Sequence, residues 1–377
     1  MPTTSYWLED DRSTPPLRPL AGSPEVVVIG GGVTGCSCAL TLAERGVPVR
    51  LFEQRQIAGG ASGRNGGFAL RGAVTPYDVA RATLGNDAAR WVMEFTERSL
   101  DRLERLAGDA FRRVGSLRLA FDEDELQALR AEHDALREDG FAVEWLDDLP
   151  APLDGLYRGG LLHPPDGAIH PVRWVRRLAT LAAEAGAELR SNERADLDAL
   201  DGPTVVVAAD GFTSSVMPDL AGAVRPTRGQ VLVTEPLAER RYERPHYARD
   251  GYDYWHQLPD GRLVIGGCRD AAFADEDTAV EATTAVVQER IQALAEQLNV
   301  GPVRVAQRWA GVWGTTPDGV PLVGPVPGHD RVWIAGGYSG HGNVLGLACG
   351  DLVARAILGE RPSGLELFDP ARLAVFR

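Results

Sequence analysis

Two hydrophobic periods divide the chain. Val26-Val-Val-Ile29 is an unbroken, mostly β-branched run, which predicts a short strand buried on both faces. Glycines follow at Gly30, Gly32 and Gly35, and then a small apolar run from Cys36 to Arg45 that reads as a helix. Val47 to Phe52 forms a second strand that ends in Glu53. Farther on, residues 77–107 carry a helical stripe of Trp91, Val92, Phe95, Leu100, Leu103 and Leu106, and residues 122–139 carry another of Leu126, Leu129 and Leu136. The dense charges of that second segment predict the solvated side of a surface helix. Between the two stripes, residues 114–121 alternate like a strand.

The second half returns to strands. A helix over 171–185 precedes the strand 204–209 and Asp210-Gly211. Residues 228–236, 251–258 and 262–267 read as antiparallel strands, with a turn at Pro259-Asp-Gly261. A helix over 279–298, with Val280, Ala285, Val287, Ile291 and Leu294 inward, leads to a strand over 303–313. A buried strand over 332–335, a glycine-rich turn over 336–342 and a helix over 344–358 close the chain. The prolines at 15, 16 and 19 make residues 1–24 an irregular arm. The expected fold class is α/β: a nucleotide-binding domain from 1–76, 156–222 and 326–377, interleaved with an α+β, mainly antiparallel domain from 77–155 and 223–325.

Composition narrows the function. The chain has 377 residues, 44% hydrophobic and 24% charged, which fits a globular protein of about two domains. Its net charge of −14 argues against nucleic acid or an anionic membrane as partner. No run is long and apolar enough for a membrane span, and residues 1–24 lack the apolar centre of a signal peptide, so a cytoplasmic location is expected. Four cysteines, at 36, 38, 268 and 349, are too few for a disulfide scaffold and are expected as small buried thiols. No metal ligand set is expected.

Gly30, Gly32 and Gly35 form G-x-G-x-x-G between a strand and a helix. There the first glycine permits the turn, the second lets backbone approach a pyrophosphate, and the third allows helix and strand to pack. Glu53 stands about twenty residues on, where a carboxylate accepts hydrogen bonds from a ribose. A second glycine-rich loop, residues 57–67, suggests backbone laid against a flat ligand. The residues alone leave the dinucleotide open.

Seven segments in order resemble the FAD-dependent D-amino acid oxidase family, which includes glycine and sarcosine oxidases: the first glycine motif with Glu53, Gly60–Gly67, Asp166–Pro171, Ala208–Gly211, Arg228–Gln230, Thr316–Pro325 and Gly336–Gly342. Within the family, Ala61–Gly67 and Ser5-Tyr-Trp7 look most like the gamma-glutamylputrescine oxidase subgroup. The resemblance implies an FAD-binding Rossmann-like domain of the glutathione-reductase type. It implies cofactor contacts from Gly30, Gly32, Val33, Thr34 and Gly35, and from Glu53, Gln54 and Arg55. Further contacts would come from Ala61, Ser62, Gly63, Arg64, Asn65 and Gly66, from Ala209, Asp210 and Gly211, and from Gly337, Ser339, Gly340, His341, Gly342 and Asn343. Some relatives attach flavin through a cysteine or histidine. Gly311 and Arg64 hold those places here, so the FAD is expected to be non-covalent. Sarcosine oxidases carry an oxygen-activating lysine on the strand here written Arg262–Gly267. This chain contains no lysine.

Such chemistry asks the protein to hold a neutral amine with its C–H toward the flavin. Tyr252, Tyr254 and His256 fall on one strand face by alternation, with Trp309 and Trp313 as a second aromatic surface. His256 is the candidate proton-handling group. Arg71, with Arg262 and Arg308 behind it, is the candidate partner of a substrate carboxylate. The expected catalytic set is His256, Tyr254, Trp313 and Arg71. The leading expectation is oxidation of a small amine or amino acid to an imine that hydrolyses, with oxygen or another acceptor taking the electrons. Three alternatives stand beside it: a dehydrogenase of an amino acid or 2-hydroxy acid using a quinone or other carrier, a flavoprotein with a structural or electron-transfer role, and an NAD-linked enzyme.

Overall fold

The computed structural model describes residues 3–373. Its six-stranded sheet has the order Leu322–Pro325, Val332–Gly336, Thr204–Val207, Val26–Ile29, Val49–Glu53 and Glu188–Ser191. All neighbours are parallel except the first pair, which is antiparallel. Val26–Ile29 lies near the middle with all four residues buried: Val26 and Val28 face the core shared with the helices, and Val27 and Ile29 face a smaller cluster with Val205, Phe52, Ala195, Leu197 and Leu200. The helix Val33–Glu44 packs against Gly342–Ile357 and Pro171–Glu184. Gly35 makes the strand-to-helix turn possible: a Cβ there would stand 1.9 Å from the Gly30 carbonyl oxygen. All four cysteines are buried free thiols.

The second sheet has eight strands in the order Val305–Thr315, Arg225–Thr234, Leu263–Gly267, Asp253–Gln257, His246–Ala248, Ser116–Leu119, Gly160–His163 and Glu144–Leu146. Only His246–Ala248 and Ser116–Leu119 run parallel. The helix Ala285–Asn299 closes its outer core with Val287, Ile291, Ala295 and Leu298. A three-stranded sheet of Phe68–Ala69, Gly167–Ile169 and Phe111–Arg112 sits beside them.

Several expectations need correction. Residues 77–107 form two helices, Tyr77–Leu84 and Asn86–Ala107, because Gly85 at φ +88° breaks the ladder. The helix expected from 279 starts at Ala285, and Val280, which precedes it outside any element, is 59% exposed. Two strands fall outside the expected ranges of their sheets. Gly160–His163 joins the eight-stranded sheet, and Leu322–Pro325 returns as a hairpin onto Val332–Gly336 in the six-stranded one. Both are four-residue runs too short to declare a partner locally. The N-terminal arm is not irregular throughout. Ser5 caps a short helix, Tyr6–Asp10, and Trp7 is fully buried with its indole N–H donating to the Asn65 carbonyl at 2.9 Å.

Candidate active site

The first-strand turn, the 61–66 loop, the 209–210 turn and the 339–343 turn all open onto one cavity of about 610 Å³. At one end Phe52, Glu53, Gln54, Arg55, Ala195 and Phe212 line it. Glu53 is held there by backbone N–H groups of Gly31 and Arg55, each donating at 2.8 Å. Burial pushes its carboxyl above the ordinary range, against the pull of those donors. In the middle stand Gly30, Gly32, Val33 and Thr34 at the start of the helix Val33–Glu44, whose N-terminal end favours phosphate. Ser62 Oγ already accepts from Val33 N–H at 3.0 Å, so the 61–66 loop is tied to that helix start.

The far end is formed by Ser339 to Asn343 opposite an aromatic wall. One transverse row of the eight-stranded sheet supplies that wall: Val231 pairs with Gly266, Gly266 with Tyr254, Tyr254 with Tyr247, and Tyr247 with Arg118. Residues paired across strands share a face, so this row presents Val231, Tyr254, Tyr247 and Arg118 to the cavity together. Trp313 and Tyr252 continue the lining beside it. Burial holds the Tyr254 and Tyr247 phenols well above their usual range, so both stay neutral.

The family profile described as DAO, FAD dependent oxidoreductase, matches residues 25–356. The chain belongs to this family. The oxidoreductase is 29% identical over 394 residues to the gamma-glutamylputrescine oxidoreductase of Escherichia coli, covering 95% of this chain and 89% of that one. It is 27% identical over 378 residues to the glycine oxidase of Pseudomonas aeruginosa, covering 93% and 98%. Its fold matches L-proline dehydrogenase from P. horikoshii with a TM-score of 0.76 at 21% identity, covering 94% of this chain and 98% of that one. Glycine oxidase from Geobacillus kaustophilus matches with a TM-score of 0.74 at 21% identity, covering 93% and 99%.

The residues present fit an extended FAD. A carboxylate stands at one end of the cavity and a glycine-opened helix in its middle. At the other end Ser339 Oγ and His341 Nδ1 are buried without a hydrogen-bond partner. Most of the residues expected at the cofactor line the cavity; Gly35, Gly63, Gly211 and Gly337 do not. Each of those four is packed against protein instead: Gly35 on Gly30, Gly63 on Ala58, Gly211 on Trp313 and Gly337 on Thr316. Asp210 reaches the cavity, but its carboxylate accepts from the N–H groups of Gly314 and Gly337, both at 2.9 Å, and so joins the two sheets. The Arg64 guanidinium is likewise turned away, donating to Gly59, Thr3 and Ala310 carbonyls.

Of the expected substrate-side residues, Tyr254 and Trp313 line the cavity and His256 does not. His256 lies behind the wall, stacked on Trp7 at 6.4 Å and edge-on to Phe68 at 5.6 Å, and burial lowers its pKa to about 3. Trp309 is fully buried and spends its N–H on the Arg64 carbonyl at 2.8 Å. Arg71 reaches the cavity, but its guanidinium is bound by Glu97, by the Ala142 carbonyl at 2.6 Å and by His163 Nδ1 at 3.3 Å. Arg262 pairs with Asp260 and Glu235, and Arg308 with Gln288 and Gln292, all away from the cavity. Sequence reasoning missed Arg118, Tyr247 and Glu132, the last a buried residue of the charged helix that pairs with Arg118 at 2.7 Å. The alternation of Ser116-Leu-Arg-Leu119 put Arg118 on one strand face, but nothing local said which face met the cavity.

Proposed function

We propose that this oxidoreductase oxidises the C–N bond of a small amine or amino acid to an imine that hydrolyses in water. The observation that carries this reading is the continuity of one cavity from the phosphate-binding helix start, past residues 339–343, to the row of Tyr254, Tyr247 and Arg118. The relatives point the same way, one named for a glutamylated diamine and the other for glycine.

Bound FAD would supply the two-electron acceptor. The chain's part is to bind and orient. Tyr254 presents aromatic surface that attracts an arriving ammonium and, being poorly solvating, favours its neutral form. His341 sits beside the turn with its pKa lowered to about 4 by burial, so it stays neutral in the working range. Neither it nor the raised phenols changes charge near neutral pH, and the substrate amine must itself shed its proton before its C–H can be given up. The N-terminus of Gly342–Ile357 faces the same end of the cavity and favours negative charge building up there.

A non-covalent cofactor fits the two positions that some relatives use for attachment. Gly311 has no side chain, and a Cβ there would stand 2.8 Å from that of Arg64. Anaerobic mixing of the yellow holoenzyme with amines, D- and L-amino acids, N-methyl amino acids and hydroxy acids tests the proposal. Bleaching by an amine or amino acid is expected, whereas bleaching by hydroxy acids alone would overturn it. Peroxide formed in air then separates an oxidase from a dehydrogenase that passes electrons to a carrier.

A further inference from the structure

One flank of the cavity is apolar and is built by two helices. Tyr77, Ala80 and Leu84 line it from Tyr77–Leu84, at spacings of three and four residues that place them on one helix face. Ala89, Val92 and Met93 line it from Asn86–Ala107 with the same periodicity. Gly85, at φ +88°, turns the first helix into the second, so both faces border one space. None of the charged residues of these helices lines the cavity. Arg81 pairs with Glu138 and Asp139, and Arg90 with Glu94. The one hydroxyl in the set, that of Tyr77, donates to Asp139 at 2.5 Å.

This flank is continuous with the flavin end. The strand Phe68–Ala69 begins at the 339–343 turn, where Asn343 donates to the Phe68 carbonyl. Farther along, the Gly72 N–H donates to Thr96 Oγ at 2.7 Å, and a Cβ on Gly72 would stand 3.4 Å from Met93 Cε. The chain from Phe68 to Gly72 thus runs from the flavin turn to Asn86–Ala107, and Phe68, Leu70 and Gly72 all line the cavity. The flank grades from closed to open: Tyr77 and Met93 are buried, whereas Leu84 is 45% exposed. A wall of this kind has no partner for a charge or a hydrogen-bonding group, and it gains by covering hydrocarbon.

We propose that this flank holds a hydrocarbon portion of the substrate, so that the favoured substrates are amines or amino acids carrying an uncharged chain of several carbons. The reacting C–N bond would lie at the flavin end beside Tyr254, with the chain running past Met93 and Tyr77 toward Leu84. This rests on the oxidative reading above for the amine, but binding along the flank can be measured apart from turnover. Linear primary amines from propylamine to octylamine are mixed anaerobically with the holoenzyme, and the concentration that half-saturates the change in flavin absorbance is read for each. Affinity should rise by about threefold for each methylene that leaves water. Pentane-diamine, with an ammonium at each end, should bind more weakly than pentylamine, because its second charge would lie unpartnered against Met93 and Tyr77. Ala80→Trp, which sets a large ring on the flank, should bring the octylamine-to-propylamine affinity ratio close to one at full flavin content. Leu84→Gln, at the exposed rim, should lower that ratio in part. Affinity that does not rise with chain length in the wild type would overturn the proposal, as would a length dependence unchanged in Ala80→Trp. A length-dependent absorbance shift with no bleaching by any amine would leave the apolar flank standing and remove the oxidative reading, whereas bleaching without length dependence would do the reverse.

Discussion

Asn65 and Asn343, 278 residues apart in the chain, exchange two amide hydrogen bonds of 3.1 Å each. The pair joins the glycine-rich loop to the start of Gly342–Ile357, the two segments expected to lie along the flavin. Neither amide N–H₂ has spare capacity elsewhere. Asn65 also donates to the Ala61 and Ser62 carbonyls and accepts from Gly67 N–H, and Asn343 donates to the Phe68 carbonyl at 2.6 Å. Asn343→Ala should therefore loosen both cradle segments and weaken FAD retention by about tenfold or more. Asn343→Asp should do worse, since a carboxylate would face the Phe68 and Asn65 oxygens where an N–H₂ now donates. Release of FAD fluorescence on dilution measures both; equal retention in the two variants would contradict the pairing.

Gly229 lies beneath Trp313, where an added Cβ would come within 2.4 Å of the indole. Gly229→Ala should push that ring toward the cavity it lines. Flavin content should hold while anaerobic reduction slows by about tenfold or more, because misplacing a positioning surface costs orientation. An unchanged reduction rate would mean that Trp313 does not shape the substrate end.

His256 has both ring nitrogens buried without a hydrogen-bond partner. Replacing it by Phe removes polar atoms from an aromatic cluster, so His256→Phe should be neutral or stabilising and should leave flavin reduction intact. The same substitution has a pH signature. Neutral in the fold down to about pH 3, the imidazole protonates near its ordinary value in the unfolded chain, so the unfolded state binds more protons as pH falls. Stability is thus lost between about pH 6.5 and pH 3, and the melting temperature of His256→Phe should fall less steeply over that window.

Asp166 is buried, accepts from Arg71 N–H at 3.0 Å and Ser116 Oγ at 2.7 Å, and has its pKa pushed up by burial to about 6. Here the sign is reversed. The folded state keeps the proton over a range in which the unfolded chain has lost it, so this group's contribution falls as pH rises from about 4 to about 6. Asp166→Asn cannot ionise. Its melting temperature relative to wild type should rise across that interval, and a constant difference would argue that Asp166 does not titrate there.

The sequence by itself determined the nucleotide-binding half and the family. Val26–Ile29 followed by Gly30, Gly32 and Gly35 is local chemistry: a buried run, a turn that needs missing side chains, and a helix start. The same locality made Glu53 and the 61–66 loop legible. The substrate end was a different matter. Tyr254, Tyr247 and Arg118 come from three strands, and only the pairing of those strands puts them in one row. Alternation placed Tyr254 and His256 on one face, but the depth of each along the strand, one at the cavity and one behind it, depends on what packs above. Trp7, from an arm that reads as irregular, fills the space against His256. Charge pairing is equally non-local. Arg71 looked available until the fold brought Glu97, Ala142 and His163 to it. A single sequence specifies which groups can bind a ligand; which of them stay free to do so is decided by partners that only the folded chain assembles.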